Sequence, residues 1–242
     1  MYVSDGGDVM AFDLKPTDQP RTETTKLARE HARCAQMPVL GGRTKRVLDF
    51  TIALVALILL SPLLVLLSLS IRNLSRGPSL YGHKRIGAGG REFRCLKFRT
   101  MVSDGDQLLA RYLADNPAER RQWEENRKLK DDPRVTWLGR ILRAYSVDEL
   151  PQLVNVLRGE MSLVGPRPVV REELARYGDA ATLYTSARPG ITGLWQVSGR
   201  SDTSYAQRIR LDCDYVLNWT LMRDIAILFR TIPSVLFARG SY

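Results

Sequence analysis

Between Phe50 and Ile71 the chain runs 22 residues without a charge, and no other feature of the sequence constrains its fold more. As a straight helix this run would measure about 33 Å, enough to cross a hydrocarbon core of about 30 Å. Two details argue against a simple crossing. Pro62, at the centre, lacks an N–H and its ring collides with the carbonyl four residues back, which bends or breaks a helix interior. Ser61, just before it, can bond back to a backbone carbonyl and soften the bend. Arg43, Lys45 and Arg46 precede the run and Arg72 and Arg76 follow it. Lys/Arg flanks favour the cytoplasmic side, so a crossing would leave one basic cluster on the wrong face. A re-entrant hairpin broken at Ser61–Pro62, with two apolar arms of about 15 Å, keeps both flanks on one side. That is the expected arrangement; a proline-kinked spanning helix is the alternative.

Residues 1–41 are polar and unpatterned and read as a disordered cytoplasmic tail. The apolar run begins too deep for a cleaved signal peptide. Beyond residue 76 the chain turns mixed and soluble in character. Gly82 to Met101 alternates with glycine punctuation, as a β-hairpin ending in a basic strand does. GAGG (Gly87–Gly90) lacks the Lys-Ser/Thr of a phosphate loop and reads as the hairpin turn. Residues 105–130 read as a charged helical face, interrupted by Asp131–Pro133. The last forty residues alternate apolar clusters with Arg223, Arg230 and Arg239, a pattern of core helices or of amphipathic helices lying at a membrane interface. The expected fold class is therefore α+β, mainly helical: a membrane hairpin over 42–76 and a cytoplasmic domain over 77–242 with a small β-hairpin.

Lys and Arg number 36 against 26 Asp and Glu, a net charge of +10, which suits an anionic partner such as nucleic acid, lipid headgroups or a phosphate-rich substrate. Cys34, Cys95 and Cys213 have neither metal-ligand nor disulfide spacing, which points to a reducing cytosol. His31 and His83 are too few and too far apart for a zinc site.

The chemistry concentrates in Leu142–Pro168, LRAYSVDELPQLVNVLRGEMSLVGPRP. Ser146 and Glu149 fit a capping box, with Pro151 a competing helix start one turn later. Either start places Asp148 and Glu149 at a helix N-terminus, where adjacent side chains diverge by about 100°. An isolated pair of this kind is ordinarily only a cap. Its company argues for more: Arg143 lies upstream, Arg167 stands between two stiffening prolines, and Lys97 and Arg99 add cationic density. Arginine forks match phosphate oxygens, and an acidic pair among fixed cations resembles a phosphoryl-transfer site.

KFRTM, SVDELPQLVNVLRGEMSLVGPRP and RPGITGLWQVSGR (Arg188–Arg200), with the basic-flanked Ser-Pro run and the terminal RGSY, closely resemble the bacterial sugar transferases, the monotopic phosphoglycosyl transferases of polyprenol phosphate. The likeness covers about residues 42–242. It implies a bacterial inner-membrane enzyme facing the cytoplasm that passes a hexose 1-phosphate from a UDP-sugar to undecaprenyl phosphate and releases UMP. Within the family it points to exopolysaccharide synthesis and to galactose 1-phosphate, with glucose 1-phosphate next. By the same resemblance Asp148 is the nucleophile, Glu149 binds Mg2+, and Arg143 and Arg167 contact phosphate. Lys97, Arg99 and Arg200 fall in motifs that bear on substrate. A homodimer is implied and a nucleic-acid partner is not. Val147 and His83 depart from residues common in the family, at positions away from this chemistry. The rival reading is a membrane-tethered protein of a polysaccharide export complex that binds without catalysis; it would not need the Asp148–Glu149 pair.

Overall fold

The computed structural model describes residues 39–75, 77–126, 129, 132–198 and 204–236. Most of the expected tail (residues 1–38), Arg200 and the terminal RGSY lie outside the described residues.

The apolar run forms one helix, α1, from Gly42 to Ser75, 34 residues and about 51 Å long. It continues through Pro62, so the expected helix-break-helix at Ser61–Pro62 is not what the chain adopts. The reason is local. The N–H that proline lacks would have bonded to the Ile58 carbonyl, and the Ser61 hydroxyl donates to that same oxygen at 2.8 Å. Ser70 and Ser75 bond back to Leu66 and Ile71 in the same manner. With its orphaned carbonyl occupied, the helix has no need to end at the proline.

Only one stripe of α1 is covered. Lys45, Asp49, Ala53, Ile71 and Ser75 are buried, and Ala56, Leu57, Leu60, Leu64 and Leu67 pack between them against the rest of the chain. Spacings of three and four residues keep this stripe on one face from end to end. The other faces expose Val47, Val55, Ile58, Leu59, Val65, Leu66 and Leu69, each at least half exposed. Of the basic residues before the run, two are held internally rather than presented to headgroups. Lys45 pairs with Asp224 at 2.5 Å in the interior, and Arg46 donates to the carbonyls of Val156 and Leu157.

The hairpin forms as its alternation suggests. Strand β1 (Leu80–Ile86) runs antiparallel to β2 (Glu92–Phe98), with Tyr81 opposite Lys97 and His83 opposite Cys95. GAGG makes the turn, where Gly89 and Gly90 take φ of 66° and 73°. The charged segment forms α2 (Gly105–Asp115) and α3 (Pro117–Asn126). Then come α4 (Trp137–Ala144), capped by Thr136, and α5 (Gln152–Arg158).

A second sheet was not foreseen. Strand β3 (Ser162–Val164) pairs in parallel with β4 (Gly190–Thr192), setting GPRP beside RPGIT. Glycine is required at this contact, since a Cβ on Gly190 would lie 2.1 Å from the Gly165 nitrogen. Short α6 (Arg171–Ala175) and α7 (Ala181–Thr185) link the two strands. The chain then continues through α8 (Tyr205–Leu217) and α9 (Leu221–Leu236).

The main core joins Ala53 of α1 to Phe93 and Cys95 of β2, Val156 of α5, Val164 of β3, Tyr215 of α8 and Ile227 of α9. A second cluster gathers Ile71, Phe98 and Leu142. Both ends of α1 are thus built into the packing of the domain that carries the candidate site.

Candidate active site

The site is assembled where β2 meets the turn between α4 and α5. Ser146 is the one non-glycine residue with positive φ (54°) among the described residues. A serine in the left-handed region is strained, and the bend it makes starts the 3-10 turn Val147–Glu149. The capping box therefore does not form: the Ser146 side chain caps nothing, and α5 starts after Pro151 instead. Asp148 and Glu149 precede this seven-residue helix, so the charge that balances them comes from side chains.

That balance centres on Lys97. Its ammonium lies 2.5 Å from Glu149 Oε1 and 4.0 Å from Asp148 Oδ2. The divergence expected of a helical pair is not complete, because both carboxylates reach one cation. Asp148 is 8% exposed, and burial pushes its pKa up to about 6. Lys97 and Arg143 oppose that rise and Glu149 adds to it. Asp148 is consequently a poorly solvated carboxyl that holds its proton more tightly than an ordinary aspartate.

Asn155 fixes the two halves of the site together. Fully buried on α5, it accepts from the Leu96 amide at 3.0 Å and donates to the Arg94 carbonyl at 2.8 Å, one and three residues before Lys97. Arg143 is held by its Nε, which donates to Thr100 Oγ1 at 2.9 Å. The close seat of α4 on Thr100 depends on Gly139, where a Cβ would lie 2.2 Å from the Thr100 carbonyl oxygen.

Arg167 reaches this neighbourhood from the β3 side. With Lys97, Arg85 and Glu149 it acts electrostatically on the buried Cys95 thiol, whose pKa burial raises to about 11. Cys95 is thus an inert core thiol at the centre of the charged groups. The Arg167 backbone is pinned by Tyr184, whose hydroxyl lies 3.0 Å from the Arg167 carbonyl and accepts from the Val169 amide at 3.2 Å. Its guanidinium lies over Trp195 at 5.4 Å, and Arg208 lies over the same indole at 4.2 Å. Asp212 is almost fully buried, with Oδ2 accepting from Tyr177 at 2.8 Å and the Arg167 backbone N–H directed at the same carboxylate.

Lys97, Arg143, Asp148 and Glu149 are therefore brought together, with Arg167 facing the same interior. Arg99 is directed elsewhere: its Nη1 donates to Ser103 Oγ at 3.0 Å, beside the end of α1. Arg200 lies outside the described residues, and Ser61 and Pro62 stand exposed at mid-α1. Sequence reasoning missed Asn155, Thr100, Tyr184, Trp195, Arg208 and Asp212. A signal existed for the last two: Arg208 and Asp212 stand four apart on α8, at the spacing of facing charges on one helical surface.

No cluster of three or more His, Cys, Asp or Glu that could hold a metal occurs among the described residues. Mg2+ does not require one, since it binds through one or two carboxylates and completes its shell with water and substrate phosphates. Asp148 and Glu149, already converging on one cation, fit that mode.

The chain matches the family profile described as bacterial sugar transferase over residues 41–238. It is 54% identical over 203 residues to the exopolysaccharide production protein ExoY of Sinorhizobium fredii, which spans 84% of this chain and 90% of that protein. The undecaprenyl-phosphate galactose phosphotransferase of Salmonella typhimurium is 50% identical over 198 residues, 82% of this chain and 41% of that longer protein. The UDP-glucose:undecaprenyl-phosphate glucose-1-phosphate transferase of Caulobacter vibrioides is 44% identical over 209 residues, 82% and 72% of the two chains.

Proposed function

The chain belongs to the bacterial sugar transferase family, and from that membership we propose that it transfers a hexose 1-phosphate from a UDP-sugar to undecaprenyl phosphate, releasing UMP, as the first membrane step of exopolysaccharide synthesis. Galactose 1-phosphate is the favoured cargo and glucose 1-phosphate the next, following the names of the relatives. The observation that carries the reading is the buried Asp148 beside Glu149, gathered under Lys97 with Arg143 fixed alongside.

In the proposed reaction an Asp148 carboxylate oxygen attacks the β-phosphorus of the UDP-sugar. The bond from that phosphorus to the bridging oxygen breaks, and UMP departs with the electron pair. A phosphosugar remains as an acyl phosphate on Asp148. A phosphate oxygen of undecaprenyl phosphate then attacks the same phosphorus, breaks the bond to Asp148 and restores the carboxylate. A carboxylate and a diphosphate repel each other, so cations must neutralise the phosphates first. Lys97, Arg143 and Arg167 supply positive charge from three different elements. Mg2+ held by Glu149, with Asp148 adjacent, would add Lewis-acid neutralisation of the diphosphate oxygens.

The membrane arrangement that fits is monotopic, with both ends of α1 on the cytoplasmic face of the inner membrane. Packing supports it: Lys45 and Asp49 at one end and Ile71 and Ser75 at the other are buried against the same domain. A helix crossing the bilayer would carry one end away from that domain. The exposed leucine and isoleucine faces of α1 are then the lipid-facing surface, and Leu217, Met222, Phe229 and Ile232 of α8 and α9 extend it at the interface.

UMP release, followed with undecaprenyl phosphate and Mg2+ across a panel of UDP-sugars, tests the assignment. Turnover is expected with UDP-galactose or UDP-glucose; no turnover with any sugar nucleotide would overturn it.

A further inference from the structure

A groove of about 900 Å³ opens between the last turns of α1 and the start of β1, outside the carboxylate site. Its walls are of two kinds. Leu69 and Leu80 present apolar surface, 57% and 46% exposed, while Arg72 and Asn73 present polar groups. Arg72 is exposed and enters no ion pair among the described residues. The two sides are tied by a hydrogen bond of 2.5 Å between the hydroxyls of Ser68 and Ser79.

A second cation lies behind the lining residue Gly77. At Gly77, which also lines the groove, an added Cβ would lie 2.6 Å from Arg99 Nη1, so the Arg99 guanidinium rests directly against this backbone. Strand pairing continues the contact, since the Arg99 amide donates to the Ser79 carbonyl at 2.8 Å. Two residues of extended chain, roughly 7 Å, separate Arg99 from Lys97. Lys97 already touches Glu149 and approaches Asp148. Arg72, Arg99 and Lys97 thus form a row of cations from the membrane-helix end of the domain to the carboxylates. On the outer side the groove runs into Val65, Leu66 and Leu69, the exposed face of α1.

We propose that this groove is the entry site for the phosphate of the polyprenyl acceptor, with Arg72 as its first contact and the isoprenoid chain lying along the exposed face of α1; the proposal rests on the transferase reading above. The chemistry is matched at both ends of such a ligand. A phosphate monoester needs a cation outside any ion pair, which Arg72 supplies among the described residues with Arg99 close behind Gly77, and the chain attached to it needs apolar surface, which continues from Leu69. The direction of the row selects the acceptor over bulk phospholipid, because it leads to the reacting carboxylates. Arg99, placed by sequence among the substrate-contacting residues, acquires a specific partner: the acceptor rather than the sugar nucleotide.

The test uses the full chain in phosphatidylcholine nanodiscs, with retained lipid counted by native mass spectrometry and steady-state rates measured alongside. Arg72→Glu should lower retention of undecaprenyl phosphate roughly tenfold, the order expected for loss of a charge-assisted contact, and raise its KM similarly while leaving the KM for the UDP-sugar in place. Arg72→Lys should recover most of the loss, and undecaprenol, which lacks the phosphate, should not be retained by any variant. Unaltered retention in Arg72→Glu would overturn the proposal, as would equal displacement by phosphatidylglycerol, which would make the groove a general anionic-lipid site. Failure of the unsubstituted chain to release UMP would count against the transferase reading instead, and lipid retention would still decide the groove.

Discussion

Asp148 and Asp212 are both carboxylates driven out of their ordinary range by burial, yet their surroundings give them different work. Asp148 keeps cations on hand, Lys97 at 4.0 Å and Arg143 close by, as the proposed nucleophile would need. Asp212 sits behind Trp195 and Arg208, and burial carries its pKa to about 7 against the opposing influence of Tyr177, Arg208 and Arg167. A carboxyl with a raised pKa binds its proton more tightly in the folded chain than in the unfolded one. Its contribution to stability is therefore full below the unfolded value near 4 and is lost as pH rises towards 7. Asp212→Asn should remove that slope: its thermal midpoint should gain on that of the unsubstituted chain as pH rises from 5 to 7.5. A constant difference across that range would show that Asp212 does not titrate there. The gathering of Asp148 and Glu149 with Lys97 and Arg143 was legible from the sequence, because these residues stand in extended motifs with the arginines close by. Asp212 was not, because burial is a property of the packed chain and LDCDYV carries no mark of it.

At the scale of elements, local chemistry was readable and long-range pairing was not. Alternation and glycines gave the β1–β2 hairpin, and the charge-free run gave α1. Pro62 argued for a break in α1, and the competing effect was Ser61, whose hydroxyl fills the position that the missing N–H would have occupied. The β3–β4 pair has three residues per strand and joins segments 28 residues apart (190 − 162), too short and too distant for periodicity to reveal. The basic flank of α1 carries a topology signal in its composition, yet Lys45 serves inside the domain. Asp224 accepts from Lys45, Tyr215 and Trp219, and Asp49 accepts from Ser162 and the Leu163 amide. This network ties the start of α1 to β3, α8 and α9. Removing only the lysine leaves buried acids without their cation, which typically costs about 3–5 kcal/mol. Lys45→Met should therefore lower the thermal midpoint markedly, and Lys45→Met with Asp224→Asn should recover part of it. A single variant as stable as the unsubstituted chain would mean that the pair does not hold α1 in place.

For the whole molecule, the long apolar helix and the domain that carries the carboxylate pair are packed as one body. Ala53 and Ile71 of α1 belong to the same clusters as Val156 beyond the Val147–Glu149 turn and Leu142 before it. In the proposed reaction a carboxylate serves a soluble donor and a lipid acceptor in turn, and it gains from being fixed relative to the exposed apolar face of α1. The family motifs conveyed the family membership that the profile match shows. Only the packed structure shows how Asn155, Thr100 and the Lys45 network hold the pieces in register.

Asp148 is the group proposed to carry the sugar phosphate between the two substrates. Its most direct test is the intact mass of the full chain after incubation with UDP-galactose, and separately UDP-glucose, in Mg2+ without acceptor, followed by peptide mapping. The expected result is one hexose 1-phosphate adduct on Asp148, formed with release of UMP, discharged by undecaprenyl phosphate and absent from Asp148→Asn. Turnover without an adduct, an adduct on another residue, or an Asp148→Asn chain that still turns over would contradict it.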